Sequence, residues 1–440
     1  MKKFNYLLIA LGLTVVAACS RSVEEEEIVV PTPSNRTVVE VSGKITASVT
    51  WKEAEKHLLK GFVYVEDGAT LTIEAGSIVL GDKATKGTLI VKPGGKLIAQ
   101  GTSAKPIVFT SAQAKGSRNY GDWGGIILLG KAPVNKTPAT IEGENISTFG
   151  GTDVNDNSGV LKYVRIEFAG IAFETDKEIN GLTLGAVGAG TSIDYVQVSY
   201  SGDDAYEWFG GTVSPKHLVS YRNLDDDFDT DWGYSGNVQY GYILRDPNVA
   251  DQCSCSDSNG FESDNDAAGS DATPQTSAKF ANISMFIAPG TVNTKYRSAF
   301  RIRRNSAISV YNSLVIGGYN KGGVELEAAA TQKNFVDGKM NLAGLVVTGM
   351  TKPIVTGDAT KLNDATRKNQ FGVDATTLGL NAAYNLITST PNATLNVGSL
   401  LLTAGVTLPT GFEANTQVGA FGISNWTTGW TNFDPQNADY

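Results

Sequence analysis

The chain has 440 residues, 41% of them hydrophobic and 18% charged, with a formal net charge of −9. This balance excludes a basic nucleic-acid footprint, and it allows a large core in place of an extended disordered chain. With 49 glycines and only two histidines, His57 and His217, the chain is turn-rich and has little material for a His-rich metal centre or a general-base histidine.

Residues 1–18 read as a secretory leader, because Lys2 and Lys3 precede an apolar stretch, Tyr6 to Val16, too short to span a bilayer. The following Val16-Ala17-Ala18-Cys19 resembles the bacterial lipobox, which implies lipidation at Cys19 and durable anchorage by several acyl chains. Residues 19–40 read as a tether, with the acidic run Glu24 to Glu27 and the Pro-rich Val30-Pro31-Thr32-Pro33-Ser34. An acidic run at this place resembles the export signal that Bacteroidetes-type lipoproteins use to reach the outer face of the outer membrane. The only other cysteines, Cys253 and Cys255, are spaced to form either a small strained disulfide or a thiol pair.

From residue 41 the pattern repeats. Val63 to Ile73 aligns with Leu89 to Ala99 at an offset of 26, each unit being a short alternating strand, a Gly-containing turn and a second strand. Ile107 to Thr110, Gly125 to Leu129 and Tyr163 to Ile166 continue the series, and Tyr195 to Tyr200, His217 to Tyr221 and Val238 to Ile243 extend it. Further coils are expected at Ile283 to Phe286, Ile308 to Leu314 and Asn341 to Val346. No helix-period segment long enough for a crossover intervenes, so the expected fold is all-β: a right-handed parallel β-helix over residues 41–355, a β-sandwich being the rival. Residues 41–60, with a short helix at Lys52 to Leu59, are expected to cap the first coil. Residues 356–440 are expected to form a last coil or a C-terminal cap.

Three stretches carry a family resemblance. Gly94-Gly95-Lys96-Leu97-Ile98-Ala99-Gln100-Gly101-Thr102 with Pro106 to Ser111, then Gly121-Asp122-Trp123-Gly124-Gly125, resembles the opening of β-helical surface lipoproteins common in Bacteroidetes. The ending Gly419 to Gly422 with Asn425 to Pro435 looks like theirs too. The resemblance implies the fold and a cell-surface address, and it implies little chemistry.

Carboxylates and aromatics concentrate in residues 202–266. Asp203, Asp204 and Glu207 fall over Asp225, Asp226 and Asp229 at an offset of 22, and Asp231, Glu262, Asp264 and Asp266 follow. Equal positions on successive coils lie about 4.8 Å apart, so such acids repel unless a cation or a proton separates them. Three readings stand. Asp204, Glu207, Asp226, Asp229 and Asp231 hold a hard cation such as calcium; or Asp203 and Glu262 bind a sugar, with Trp208 and Trp232 as stacking platforms; or the acids serve the turns by accepting local backbone hydrogen bonds.

Arg297, Arg301, Arg303 and Arg304 come next, with Arg301 and Arg303 on one side of a strand. They either neutralise the acids or, by faint resemblance to pectate-lyase-like β-helices, bind ligand and act as catalytic bases on a uronate. His217, at a strand start, reads as structural, and Gly185 to Gly190 lacks the context of a dinucleotide loop. The leading expectation is a non-enzymatic, outer-membrane surface lipoprotein that binds a ligand or partner, as an accessory to a TonB-dependent transporter by family analogy. The alternative is a calcium-dependent polysaccharide lyase or another carbohydrate-active enzyme.

Overall fold

The computed structural model describes Met1 and residues 36–141, 146–174, 177–251 and 257–440. The leader, Cys19 and most of the tether lie outside the described residues, as do Cys253 and Cys255.

The expected right-handed parallel β-helix is what the chain forms, and parallel pairing over three stacked sheets leaves no room for a sandwich. The first sheet stacks the strand segment Phe62 to Val65 on Thr88–Val91, Gly125–Leu129, Leu182–Gly185, Tyr206–Phe209, Phe228–Asp231, Phe261–Ser263, Ser298–Ile302 and Gly322–Leu326. The second runs through Val49–Trp51, Thr70–Ile73 and Lys96–Gln100 and onward to Ser309–Tyr311. The third runs through Ile78–Gly81 and Ile107–Ser111 and onward to Leu314–Ile316 and Val346–Thr348. The offset of 26 is the true coil length there, since Val63 pairs with Leu89 and Leu71 with Leu97.

The second and third sheets meet at a bend that needs one left-handed residue per coil. Tyr163, Tyr195, His217, Tyr240, Asn282 and Asn312 occupy it, with φ between 46° and 64°. Asn tolerates this region readily; the larger residues are held there by the strands on either side. The rings of Tyr163, Tyr195, His217 and Tyr240 stack at centroid spacings of 4.5, 4.2 and 4.8 Å, and His217 Nδ1 lies 2.8 Å from Asp194 Oδ1. His217 is thus a stacked, partnered residue of the bend. The same bend divides the expected strand at Ile308 to Leu314 into Ser309–Tyr311 and Leu314–Ile316.

Two expectations for the first coil are corrected. There is no helix at Lys52 to Leu59; Glu55–Val65 is a strand, paired with Thr37–Ile45 on one side and with the next coil on the other. Ladder bonding on both edges overrides the helical preference of Glu-Lys-His-Leu-Leu-Lys. Pairing also begins at Thr37, inside the stretch expected as tether, so residues 41–60 are themselves coil.

Inward positions form one continuous column, including Leu182, Tyr206, Trp208, Phe228, Phe261, Phe300 and Val324, all buried. Beyond the last coils the chain turns back along the outside. Asn312 Oδ1 accepts from Val406 N–H at 2.8 Å, Ser284 Oγ from Ala420 N–H at 2.9 Å, and Gln197 Oε1 from Asn432 N–H at 2.9 Å. This returning segment buries Leu378, Leu395, Leu401, Val418, Phe421 and Trp430 against the outer side of the third sheet.

Candidate cation and ligand site

Alternation along the strands of the first sheet sends every second side chain outward. In register, the outward row reads Ile127, Thr183, Glu207, Asp229, Glu262, Arg301, Glu325. A second outward row, two residues along, reads Phe209, Asp231, Asp264, Arg303, Glu327, continued past the strand ends by the backbone bonds of Asp264, Arg303 and Glu327 to the preceding coil.

A third row lies in the turns that lead into these strands. Asp204 Oδ1 accepts from Asp226 N–H at 2.8 Å, Asp226 accepts from Asn259 N–H, and Asn259 Oδ1 accepts from Ser298 N–H at 3.2 Å. Each side chain thereby caps the backbone of the next coil, which is the turn-structure reading realised for Asp204 and Asp226. Behind the turn the fully buried Arg245 pairs with Asp227 at 3.2 Å and donates to the carbonyls of Asn223, Leu224, Asp225 and Asn259 at 2.5–3.1 Å. This guanidinium fixes the path of the acidic turn.

Three overlapping carboxylate triads result: Asp203, Asp204 and Asp225; Asp204, Glu207 and Asp229; Asp226, Asp229 and Glu262. Within each, one oxygen per residue lies within 4.8 Å of the others. Asp229 belongs to two triads and accepts no hydrogen bond from any described residue. Burial pushes its carboxyl well above the ordinary range, and Glu207, Glu262 and Asp226 push it further. Asp204 is raised in the same way by burial and then by Asp203, Asp226 and Asp229. Burial raises Glu262 to about 7, with Asp226 adding to it and Arg303 and Arg301 opposing; burial likewise raises Asp231 to about 7 against the Trp232 N–H, and Asp226 to about 6 against the Asn259 N–H and Arg245.

The arginines sit at one end of the ladder. Arg301 Nη1 lies 2.8 Å from Glu262 Oε2, Arg303 pairs with Glu262 and with Asp264 at 2.8 Å, and Arg304 pairs with Asp264 at 2.6 Å. Arg297 is held by Glu325 at 3.0 Å, by Asp257 at 3.2 Å and by Glu327. The candidate bases Arg301 and Arg303 are therefore both engaged by carboxylates. Further along the ladder, Asn180 Nδ2 donates to Glu207, and Asn180 Oδ1 is buried with no partner among the described residues.

The two expected stacking platforms are corrected. Trp208 is wholly buried in the core, stacked on Tyr206 and Tyr234 at 5.9 and 5.4 Å, because it occupies an inward position. Trp232 is covered by Phe149 and Phe209, with Lys136 Nζ 3.8 Å from its ring centre. Asp266 faces its own loop, bound to Ser270. Sequence reasoning missed Asn180, which stands one coil before Asp204, and the repeat itself is the signal that finds it, since Leu182 pairs with Tyr206. Arg245 and Lys136 had no such signal.

The family model described as a pectate-lyase like beta helix domain matches residues 43–431. Among curated proteins none matches. Of solved structures, that of pectate lyase Pel9A is similar with a TM-score of 0.38 at 10% identity, over 89% of this chain and 98% of that one. The Dettilon tailspike protein is similar with a TM-score of 0.30 at 12% identity, over 73% of this chain and 61% of that one. With most of its length matched by that family model, the chain belongs to the pectate-lyase-like beta-helix domain family.

Proposed function

We propose that the ladder of Asp204, Glu207, Asp226, Asp229 and Glu262 binds a divalent cation, calcium by the nature of its donors, on a non-enzymatic β-helix that presents the ion to a surface ligand. The observation that carries this reading is Asp229: a carboxylate wedged among four others with no hydrogen-bond donor to it among the described residues. Such a group must hold a proton or neighbour a cation. All the donors are hard oxygens, and calcium takes six to eight of them with little demand on geometry. When bound, the ion supplies positive charge beside Asp229. The engagement of Arg301 and Arg303 by Glu262 and Asp264 supports binding over base catalysis.

The test is calorimetric titration of the purified chain with calcium, against a variant carrying Asp204→Ala, Asp226→Ala and Asp229→Ala. Tight binding lost in the variant is expected; absence of binding by the parent chain returns the acids to turn structure. Family membership favours a second reading, a calcium-dependent polysaccharide lyase. Its sign is release of unsaturated uronides from an acidic polysaccharide, abolished by the same variant.

The N-terminal residues support an address for either activity: lipid-anchored at Cys19, on the outer face of an outer membrane, with a TonB-dependent transporter as partner. Metabolic labelling with a fatty acid, lost on Cys19→Ala, tests the anchor.

A further inference from the structure

A cavity of about 460 Å³ lies outside the third sheet, between its coils and the returning C-terminal segment. Its floor is Tyr200 and Arg222, which follow strands Ser192–Ser199 and Lys216–Tyr221 and take the left-handed conformation, φ 57° and 56°. That conformation is costly for such residues and is held here by packing. The Tyr200 ring rests on Phe168 at 5.2 Å, and the Arg222 guanidinium lies 5.2 Å over the Tyr200 ring, fixed by Asp246 at 2.5 Å.

The opposite wall comes from the returning segment. Phe433 meets Tyr221 edge-on at 5.0 Å, and Asp434 and residues 388–390 complete the rim. Thr388, Ser389 and Thr390 are exposed, and their hydroxyls make no hydrogen bond with any described residue. The site therefore combines two partly exposed aromatic rings, three uncommitted hydroxyls and a carboxylate.

We propose that this cavity is a binding subsite for a neutral saccharide. Rings of Tyr and Phe offer apolar surface to the C–H face of a pyranose, and the hydroxyls and the Asp434 carboxylate match its hydroxyl groups. Charge selects against an acidic sugar, because Asp246 already offsets Arg222, Asp434 adds a negative charge, and the chain as a whole stands at −9. The volume falls within the roughly 300–1,000 Å³ usual for ligand cavities. The subsite uses none of the ladder carboxylates, so it stands whether or not calcium binds there.

The experiment titrates the full chain with cellohexaose, xylohexaose, mannohexaose, maltohexaose and, as the acidic comparison, hexagalacturonate, by calorimetry with chelator present. Binding of at least one neutral hexasaccharide is expected. The double variant Thr388→Val and Thr390→Val, exposed changes that leave the fold intact, is expected to weaken it about tenfold, as loss of two hydrogen bonds implies. Phe433→Ala is expected to weaken it as well, with Tm followed to separate loss of the ring from loss of the fold. The proposal is overturned if no neutral sugar binds, if only hexagalacturonate binds, or if the hydroxyl-deleted variant binds as the parent does.

Discussion

Replacing Asp229 by asparagine keeps the side chain's shape while removing a charge from among Asp204, Glu207, Asp226 and Glu262. At the 4.8 Å that bounds these oxygens, two like charges in an effective dielectric of about 20 repel by about 3 kcal/mol. Glu262 leans the same way, raised to about 7 by burial first and by Asp226 next. The sign follows from proton binding. A carboxyl raised in the folded state holds its proton where the unfolded chain, near pH 4, has already lost it, so the contribution of these carboxyls to stability is fullest below about pH 4 and is lost as pH rises through the folded values of about 6 to 7. In chelator at pH 8, Asp229→Asn is therefore expected to be more stable than the parent, by about 2–3 kcal/mol in urea unfolding. With calcium added the order reverses, because the parent gains the stability of the bound ion and the variant, having lost a central ligand, gains less. A variant no more stable than the parent in chelator at pH 8, or one that gains as much from calcium, refutes the reasoning.

Arg303→Gln withdraws the cation shared by Glu262 and Asp264, leaving each with one arginine, Arg301 and Arg304 respectively, and is expected to cost about 1–3 kcal/mol, read by the same unfolding assay. Arg245→Met strands the fully buried Asp227 and four turn carbonyls; it is expected to cost at least about 3 kcal/mol and to lower calcium affinity in calorimetry by loosening the acidic turn. Trp208→Ala is expected to cost about 3–5 kcal/mol in urea as a core truncation.

The solenoid was legible because its period is written in residues whose burial the fold repeats: Val63 over Leu89, Leu71 over Leu97 and Glu207 over Asp229 each pair as the offsets in the sequence predict. The first coil was not, since Glu55 to Leu59 owes its strand to neighbours on both edges and its local composition favours helix. Which acids share a face was readable from alternation, whereas the fate of Trp208 turned on the same alternation and was misread through its aromatic character. Trp208 lies one residue from outward Glu207, and that step places it in the core. Arg245 and Lys136 reach the site from positions that no local period connects to it.

The spacing of the coils explains why the unbalanced charge falls where it does. Tyr206 to Phe228 is a turn of 22 residues, whereas the next two, Phe228 to Phe261 and Phe261 to Phe300, take 33 and 39. The coil before, from Leu182 to Tyr206, takes 24, and the one before that, from Ile126 to Leu182, takes 56. Extra length leaves the stack as loops, and one from the long early coil leans across its successors: Asn135 donates to the Asn265 carbonyl at 2.8 Å, and Lys136 covers Trp232. Two short coils, Leu182 to Tyr206 and Tyr206 to Phe228, thus lie between longer ones, the earlier sending a loop over the second outward row and the later ones bringing Arg301, Arg303 and Arg304. Burial at Asp229, the largest cause of its raised carboxyl, strengthens its repulsion from neighbouring carboxylates. On the proposed reading, the same crowding that makes the ladder costly without an ion is what would favour a compact positive charge, so a single substitution at Asp229 is expected to move stability and cation binding in opposite directions.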